Sequence, residues 1–258
     1  MPLPGFSLAG RLRTGETVHC GWCSLPYPIV AELIAREGFH AAALDQQHGL
    51  WDTASLAAGI ASVRQAGASP VVRVPVGDFG GVSRVLDFGA EAVIAPMINT
   101  EADARAFAAA AKFPPVGERS WGPHRATMLA GVSDQRDYLR EANAATLAFA
   151  MIETREALDN VDAIARTEGI DALFLGPADL SIALSGGTLD PMGKAVDEGL
   201  ERILAAAGKA GKLTGAFCPT PARARDLEKR GVRFLAIPGD IAFIRSSASA
   251  ALKALKGA

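Results

Sequence analysis

Short apolar runs alternate along the whole chain with longer, alanine-rich stretches in which apolar residues recur at helical spacing. The runs are "ETVHCGWC" (16–23), "FHAAALD" (39–45), "PVVRVP" (70–75), "AEAVIAP" (90–96), "TLAFAMIE" (146–153), "DALFLGP" (171–177), "KLTGAF" (212–217) and "VRFLAIP" (232–238). Each is nearly continuous in apolar residues, as strands buried on both faces are, and does not alternate like a half-solvated strand. Segments such as "TASLAAGIASVRQAG" and "TREALDNVDAIARTEG" predict the intervening helices. Gly67, Gly169, Gly211 and Gly231 stand just before strands, where a glycine stops the preceding helix. Eight strand–helix units predict one α/β domain over 1–258, a (β/α)8 TIM barrel. A doubly wound sheet competes, but no GxGxxG follows the first strand. Residues 112–133 and 185–193 break the rhythm, and long loops of this kind are expected to be lids or binding loops.

Composition narrows the picture. The 258 residues are 49% hydrophobic, enough for one large core. Basic and acidic side chains nearly balance, at 26 against 28, so no strong field favours nucleic acid or an anionic membrane. No apolar run approaches the roughly 20 residues of a membrane span, and the first residues lack a signal peptide's pattern, so a cytoplasmic protein is expected. Three cysteines give no disulfide framework.

The polar residues gather at one end of the expected barrel. In TIM barrels the catalytic groups sit at the C-terminal ends of the strands. The second strand ends in Asp45, with Gln47 and His48 just beyond; the third carries Arg73; the fifth ends at Glu153; the sixth leads into "GPADLS", with Asp179. Any one of these has a structural reading, as a hydrogen-bonded His, a core ion pair or a helix cap. Jointly, Glu153 and Asp179 at adjacent strand tips offer two oxygen ligands to a hard divalent cation. Gly176, Pro177 and Ala178 open a helix whose unpaired N–H groups suit a substrate carboxylate. Pro177 fixes the turn, and small Ala178 lets a ligand approach the main chain.

In order along most of the chain, "LDQQHG", "VVRVP", "VLDFGAEAVIAPM", "GERSWGP", "MIETREALDNVDAIA" and "LFLGPADLS" resemble the HpcH/HpaI aldolase family. The resemblance implies a class II aldolase that reversibly cleaves 4-hydroxy-2-oxo acids to pyruvate, or hydroxypyruvate, and an aldehyde. It implies Mg2+, Mn2+ or Co2+ on Glu153 and Asp179, with a metal-bound enolate whose oxygen Arg73 stabilises. Ala178 and Asp179 N–H groups would hold the carboxylate, and His48 paired with Asp87 would be the acid/base group. It further implies a homo-hexamer, a dimer of trimers, with the C-terminal helix swapped between subunits. Gln47 and Met151 stand where the family often has Glu and Gln, which leaves the preferred aldehyde open.

Other candidates are weaker. "CGWC" has redox spacing, but Cys20 lies within a predicted strand and not at a helix start, so a structural thiol pair is favoured. Cys218 is alone. Trp22 is read as a wall of the aldehyde pocket or as core. Arg119 is the leading functional residue of the long loop, ahead of His124 and Arg125, while His19 and His40 belong to the opposite, stabilising face. A Schiff-base aldolase needs a lysine at a strand's C-terminal end, and none of the seven lysines is there. A CoA-ester lyase or oxaloacetate decarboxylase of the same superfamily, and a non-catalytic barrel with an assembly or regulatory role, are the alternatives.

Overall fold

All eight apolar runs fold as parallel strands in a computed structural model describing residues 3–257. They are β1 (Val18–Cys23), β2 (Ala41–Asp45), β3 (Ser69–Arg73), β4 (Ala92–Ala95), β5 (Leu147–Ile152), β6 (Ala172–Leu175), β7 (Leu213–Phe217) and β8 (Phe234–Pro238). Each pairs with its sequence neighbour, and β8 returns to β1 through Val18↔Phe234, closing the barrel. The expected (β/α)8 architecture is therefore present.

Alternation along the strands sorts side chains between two cores. Cys20, Trp22, Ala41, Ala43, Val71, Phe149, Met151, Phe174 and Phe234 fill the barrel interior. Cys23, Ala42, Leu44, Val72 and Ile152 face outward into the helix layer. Helices after the strands run back toward the N-terminal face. Several begin on side-chain caps, with Asp52 and Ser55 forming one capping box and Thr100 and Asp103 another. Gly67, Gly169, Gly211 and Gly231 all have positive φ, the conformation that ends a helix without a Cβ penalty.

The N-terminal face is sealed. The helix Leu8–Arg13 places Leu8 and Leu12 in the interior core. Buried Glu91 Oε2 accepts the Ser7 and Leu8 N–H groups at 2.8 and 2.9 Å and the Ser69 hydroxyl at 3.0 Å. Burial pushes the Glu91 carboxyl up, against the opposing pull of Arg64 and these donors. Residues 112–133 also belong to this face. They follow the helix Glu101–Ala111, which has run back from β4, and Phe113, Ala126 and Ala130 pack with Leu3, Phe6 and Tyr138. This segment, expected as a lid or binding loop, lies at the opposite end of its own barrel from the strand C-termini, because the helix direction delivers it there.

The last helix, Asp240–Lys256, is exposed along its length after Asp240, with Ile241, Phe243, Ile244, Leu252 and Leu255 in solvent. Among the described residues, no helix is long and apolar enough to cross a membrane.

Candidate active site

Asp45 and Arg73 end adjacent strands, paired in register. Both are buried, at 2% and 8% exposure. Arg73 Nε donates to Asp45 Oδ1 at 2.8 Å and Nη2 to Oδ2 at 2.6 Å, the two-pronged geometry that fixes a guanidinium plane. Trp22 Nε1 donates to Oδ2 at 3.2 Å, and its ring lies 4.9 Å from the Arg73 guanidinium carbon. The Gln47 and His48 N–H groups donate to Oδ1 at 3.1 and 3.3 Å. Burial alone raises the Asp45 carboxyl, yet the Arg73 bonds and charge, with Trp22 and His48 N–H, hold it below its ordinary value. The row of polar residues after β2 is thus an Asp-centred turn. Asp45 spends its oxygens on protein donors and positions Arg73 and His48.

Glu153 follows β5 and is 1% exposed. Its Oε1 accepts the Met97 N–H at 2.8 Å, and Met97 is the one non-glycine residue with positive φ among the described residues, at 54°. That conformation is uncommon for a non-glycine residue and marks a backbone held to a purpose. Oε2 has no protein donor among the described residues and faces Gly176, where a Cβ would collide with it. Burial first, then the charge of Asp179, push the Glu153 carboxyl up to about 7, against the pull of the Met97 N–H and Arg73. A buried carboxylate with an oxygen free of protein donors, within reach of the charge of a second carboxylate, suits a cation. No group of three or more His, Cys, Asp or Glu able to hold a metal occurs among the described residues. The pair nevertheless fits a hard cation bound through two carboxylates, with substrate and water completing its shell.

Asp179 lies in the first turn of the helix Pro177–Ser185, whose N-cap is Gly176 and whose first residue is Pro177. A cavity of about 220 Å³ lies here, lined by Gly176, Pro177, Ala178 and Asp179 on one side and by Trp22, His48, Arg73, Met151 and Phe217 around the rest. The expected residues from β1, β2, β3 and β6 therefore share one mouth. Gln47 does not line it; its Oε1 is buried without a partner among the described residues. No lysine lines it either, in keeping with the sequence reading against a Schiff base.

Asp87 ends the helix Phe79–Asp87, which runs from the C-terminal end of β3 back toward the N-terminal face of its own barrel, away from His48 of the same chain. Its Oδ1 instead accepts Arg119 Nη2 at 2.5 Å, and Arg119 stacks over Phe113 at 4.3 Å. Arg119, the leading functional residue of the long loop, belongs to the same face, as do His19 and His40, which stack at 5.6 Å.

Cys20 points into the barrel and Cys23 out of it, three residues apart on one strand, so they cannot approach each other. Burial raises both thiols, and pushes that of Cys218 up to about 12. The structural reading of "CGWC" holds. Sequence reasoning missed two site residues. Phe217 ends β7, and the strand-end rule that found Arg73 reaches it too. Met97 carries no sequence signal, because a left-handed methionine is visible only in the backbone.

The sequence profile of the HpcH/HpaI aldolase/citrate lyase family matches residues 21–246. The chain is 36% identical over 235 residues to the hydroxypyruvate/pyruvate aldolase of Rhizorhabdus wittichii, covering 91% of this chain and 92% of that one. It is 38% identical over 221 residues to the 4-hydroxy-2-oxovalerate aldolase of Novosphingobium aromaticivorans, covering 83% and 82%. The crystal structure of an HpcH/HpaI aldolase from Desulfitobacterium hafniense superposes with a TM-score of 0.88 at 27% identity, over 96% of each chain. With its barrel, its carboxylate pair and these matches along nearly its whole length, the chain belongs to the HpcH/HpaI aldolase/citrate lyase family.

Proposed function

We propose that the protein is a divalent-cation-dependent aldolase, reversibly cleaving 4-hydroxy-2-oxo acids into pyruvate or hydroxypyruvate and an aldehyde. The observation that carries this is the pairing of Glu153 with Asp179 beside a cavity that also holds Arg73 and His48. The activities of the Rhizorhabdus and Novosphingobium relatives support it. Family membership implies a divalent cation, and Glu153 and Asp179 are the residues that would hold Mg2+, Mn2+ or Co2+. A bound cation supplies a Lewis acid to the oxygens of the 2-oxo acid.

This chain's own residues do the rest. Ala178 and Asp179 N–H groups, at the positive end of their helix, bind the donor carboxylate. Arg73 is locked by Asp45 through Nε and Nη2; Nη1, without a protein partner among the described residues, faces the charge that develops on the enolate oxygen. In cleavage a base takes the C4 hydroxyl proton, the C3–C4 bond breaks, its electrons pass into the enolate, and a proton returns to C3. His48, at the rim of the cavity, serves as that base and acid directly or through a water. Trp22, Met151 and Phe217 wall the site with apolar surface and exclude bulk water.

The quaternary structure belongs to the same proposal. The apolar residues exposed on Asp240–Lys256 support a helix that packs on another copy, in a homo-hexamer built as a dimer of trimers. The functional test is exchange of pyruvate methyl protons with D2O. Exchange should stop on chelation, return with a divalent cation, and be lost in Glu153→Gln. Full exchange and cleavage in chelated protein would refute the reading.

A further inference from the structure

Glu153 and Thr154 are consecutive at the tip of β5, and each reaches across to the loop that follows β4. Glu153 Oε1 accepts the Met97 N–H at 2.8 Å, and the Thr154 hydroxyl donates to Asn99 Oδ1 at 2.6 Å. The Asn160 side-chain amide donates to the Asn99 carbonyl at 2.9 Å, and the Asn99 N–H donates to Asp103 Oδ2 at 3.1 Å. Asn99 is thus held through its N–H, its carbonyl and its side chain, by three different partners. The Thr154 hydroxyl has one proton, and it goes to Asn99. Its oxygen accepts the Ala157 N–H at 3.0 Å, capping the helix Arg155–Asp159.

Between these anchors lies Met97, with φ at 54°. Before it, Pro96 has a fixed φ and follows Ala95, which is paired in register with Ala150 of β5. After it, Ile98 is buried in the outer core and Asn99 is bonded on three sides. The left-handed conformation is disfavoured by roughly 5- to 30-fold for a non-glycine residue, so it persists only where its neighbours dictate it. With one end freed, Met97 would relax to negative φ and swing its N–H off Glu153.

We propose that Asn99 is a positioning residue for the cation site. Held by Thr154, Asn160 and Asp103, it keeps Met97 left-handed. The Met97 N–H then pins Glu153 Oε1, and Oε2, facing Gly176, stays turned to the cation. One strand tip supplies both a ligand and the clamp that aims it. The inference rests on the reading of Glu153 as a cation ligand and adds the residues that set its geometry. The competing account is that these bonds only close a loop, with the burial of Ile98 alone holding Met97.

The test is Mn2+ affinity by calorimetry, alongside urea unfolding of the cation-free protein. Asn99→Ala should weaken Mn2+ binding about 5- to 30-fold, the range set by releasing the Met97 conformation. A glycine takes positive φ without a Cβ penalty and keeps the N–H, so adding Met97→Gly to Asn99→Ala should recover most of the lost affinity. Stability should not recover with it, because the glycine loses more conformational freedom on folding. A purely structural role predicts no such split. Thr154→Val removes the donor to Asn99 and should weaken Mn2+ binding in the same way, with Thr154→Ser restoring it; this pair, with the same Met97→Gly rescue, decides the matter if Asn99→Ala does not fold. Unchanged affinity in Asn99→Ala, or a loss that Met97→Gly does not recover, overturns the clamp and leaves the cation site standing. Wild-type protein that binds Mn2+ no better than Glu153→Gln overturns the cation reading and the clamp with it.

Discussion

Asp45→Ala is the most informative single change in the site. It leaves Arg73, 8% exposed, without its counter-charge, and it strands Trp22 Nε1 and the Gln47 and His48 N–H groups. Breaking a buried ion pair from one side costs about 3–5 kcal/mol, because the remaining charge is still desolvated. The orphaned neutral donors overlap with that penalty and do not add to it in full. A loss of about 3 kcal/mol corresponds to roughly 6–12 °C in Tm for a chain of this size. The assay is urea unfolding with its m-value, alongside pyruvate proton exchange, for Asp45→Ala, Arg73→Ala and the double variant. Exchange should fall together with stability, since Arg73 loses the partner that aims it. The double variant should be less destabilised than the sum of the singles by about 1–3 kcal/mol. The pH sign follows from the depressed Asp45 carboxyl. Its stabilising contribution is present above the unfolded carboxyl value and is lost as pH falls through the lower folded one, so Asp45→Asn should flatten the acid limb of the stability curve. A cost under about 1 kcal/mol, with additive singles, would show that the pair is solvated and carries no positioning role.

The other expectations are brief. His48→Ala should slow proton exchange by about 10²–10⁴-fold while pyruvate affinity survives, and exchange at the wild-type rate would remove His48 from the donor half-reaction. Gly176→Ala drives a Cβ against Glu153 Oε2 and to 2.6 Å from Met151 Cε, so Mn2+ affinity measured by calorimetry should drop tenfold or more, with an overpacking cost of about 1–3 kcal/mol; unchanged affinity would dissociate Glu153 from cation binding. Cys20 and Cys23 should resist thiol reagents in the native protein and react only on unfolding, and fast native labelling of either would contradict their burial.

The barrel and the mouth of the site were legible because the physics behind them is local. Apolar runs of strand length, glycines at helix ends and polar residues at strand tips are all consecutive features, and they found Arg73, Glu153, Asp179 and His48. What was not legible concerns direction and pairing. Asp87 lies close to Arg73 in sequence, but a nine-residue helix carries it to the other end of the barrel. Residues 112–133 look like a catalytic loop by composition, yet they begin where a returning helix has already reached the N-terminal face. Asp45 reads as one more polar group, and only the fold shows that it holds its neighbours. Met97 depends on a backbone angle that no side chain announces.

The seal at the closed end of the barrel imposes an order on assembly. It joins Ser7 and Leu8 to Glu91 across 84 and 83 positions of chain, and Arg64 to Gly5 across 59. Closing loops of that length costs entropy that only finished partners repay. During synthesis the segment 5–13 leaves the ribosome before β3 and β4, yet the partners that fix it arrive only with them. A nascent chain halted before Glu91 therefore carries Leu8 and Leu12 as loose apolar surface, the kind of segment that chaperones hold. An extension fused ahead of Leu3 would burden this docking step and leave the pairing of β3 with β4 untouched.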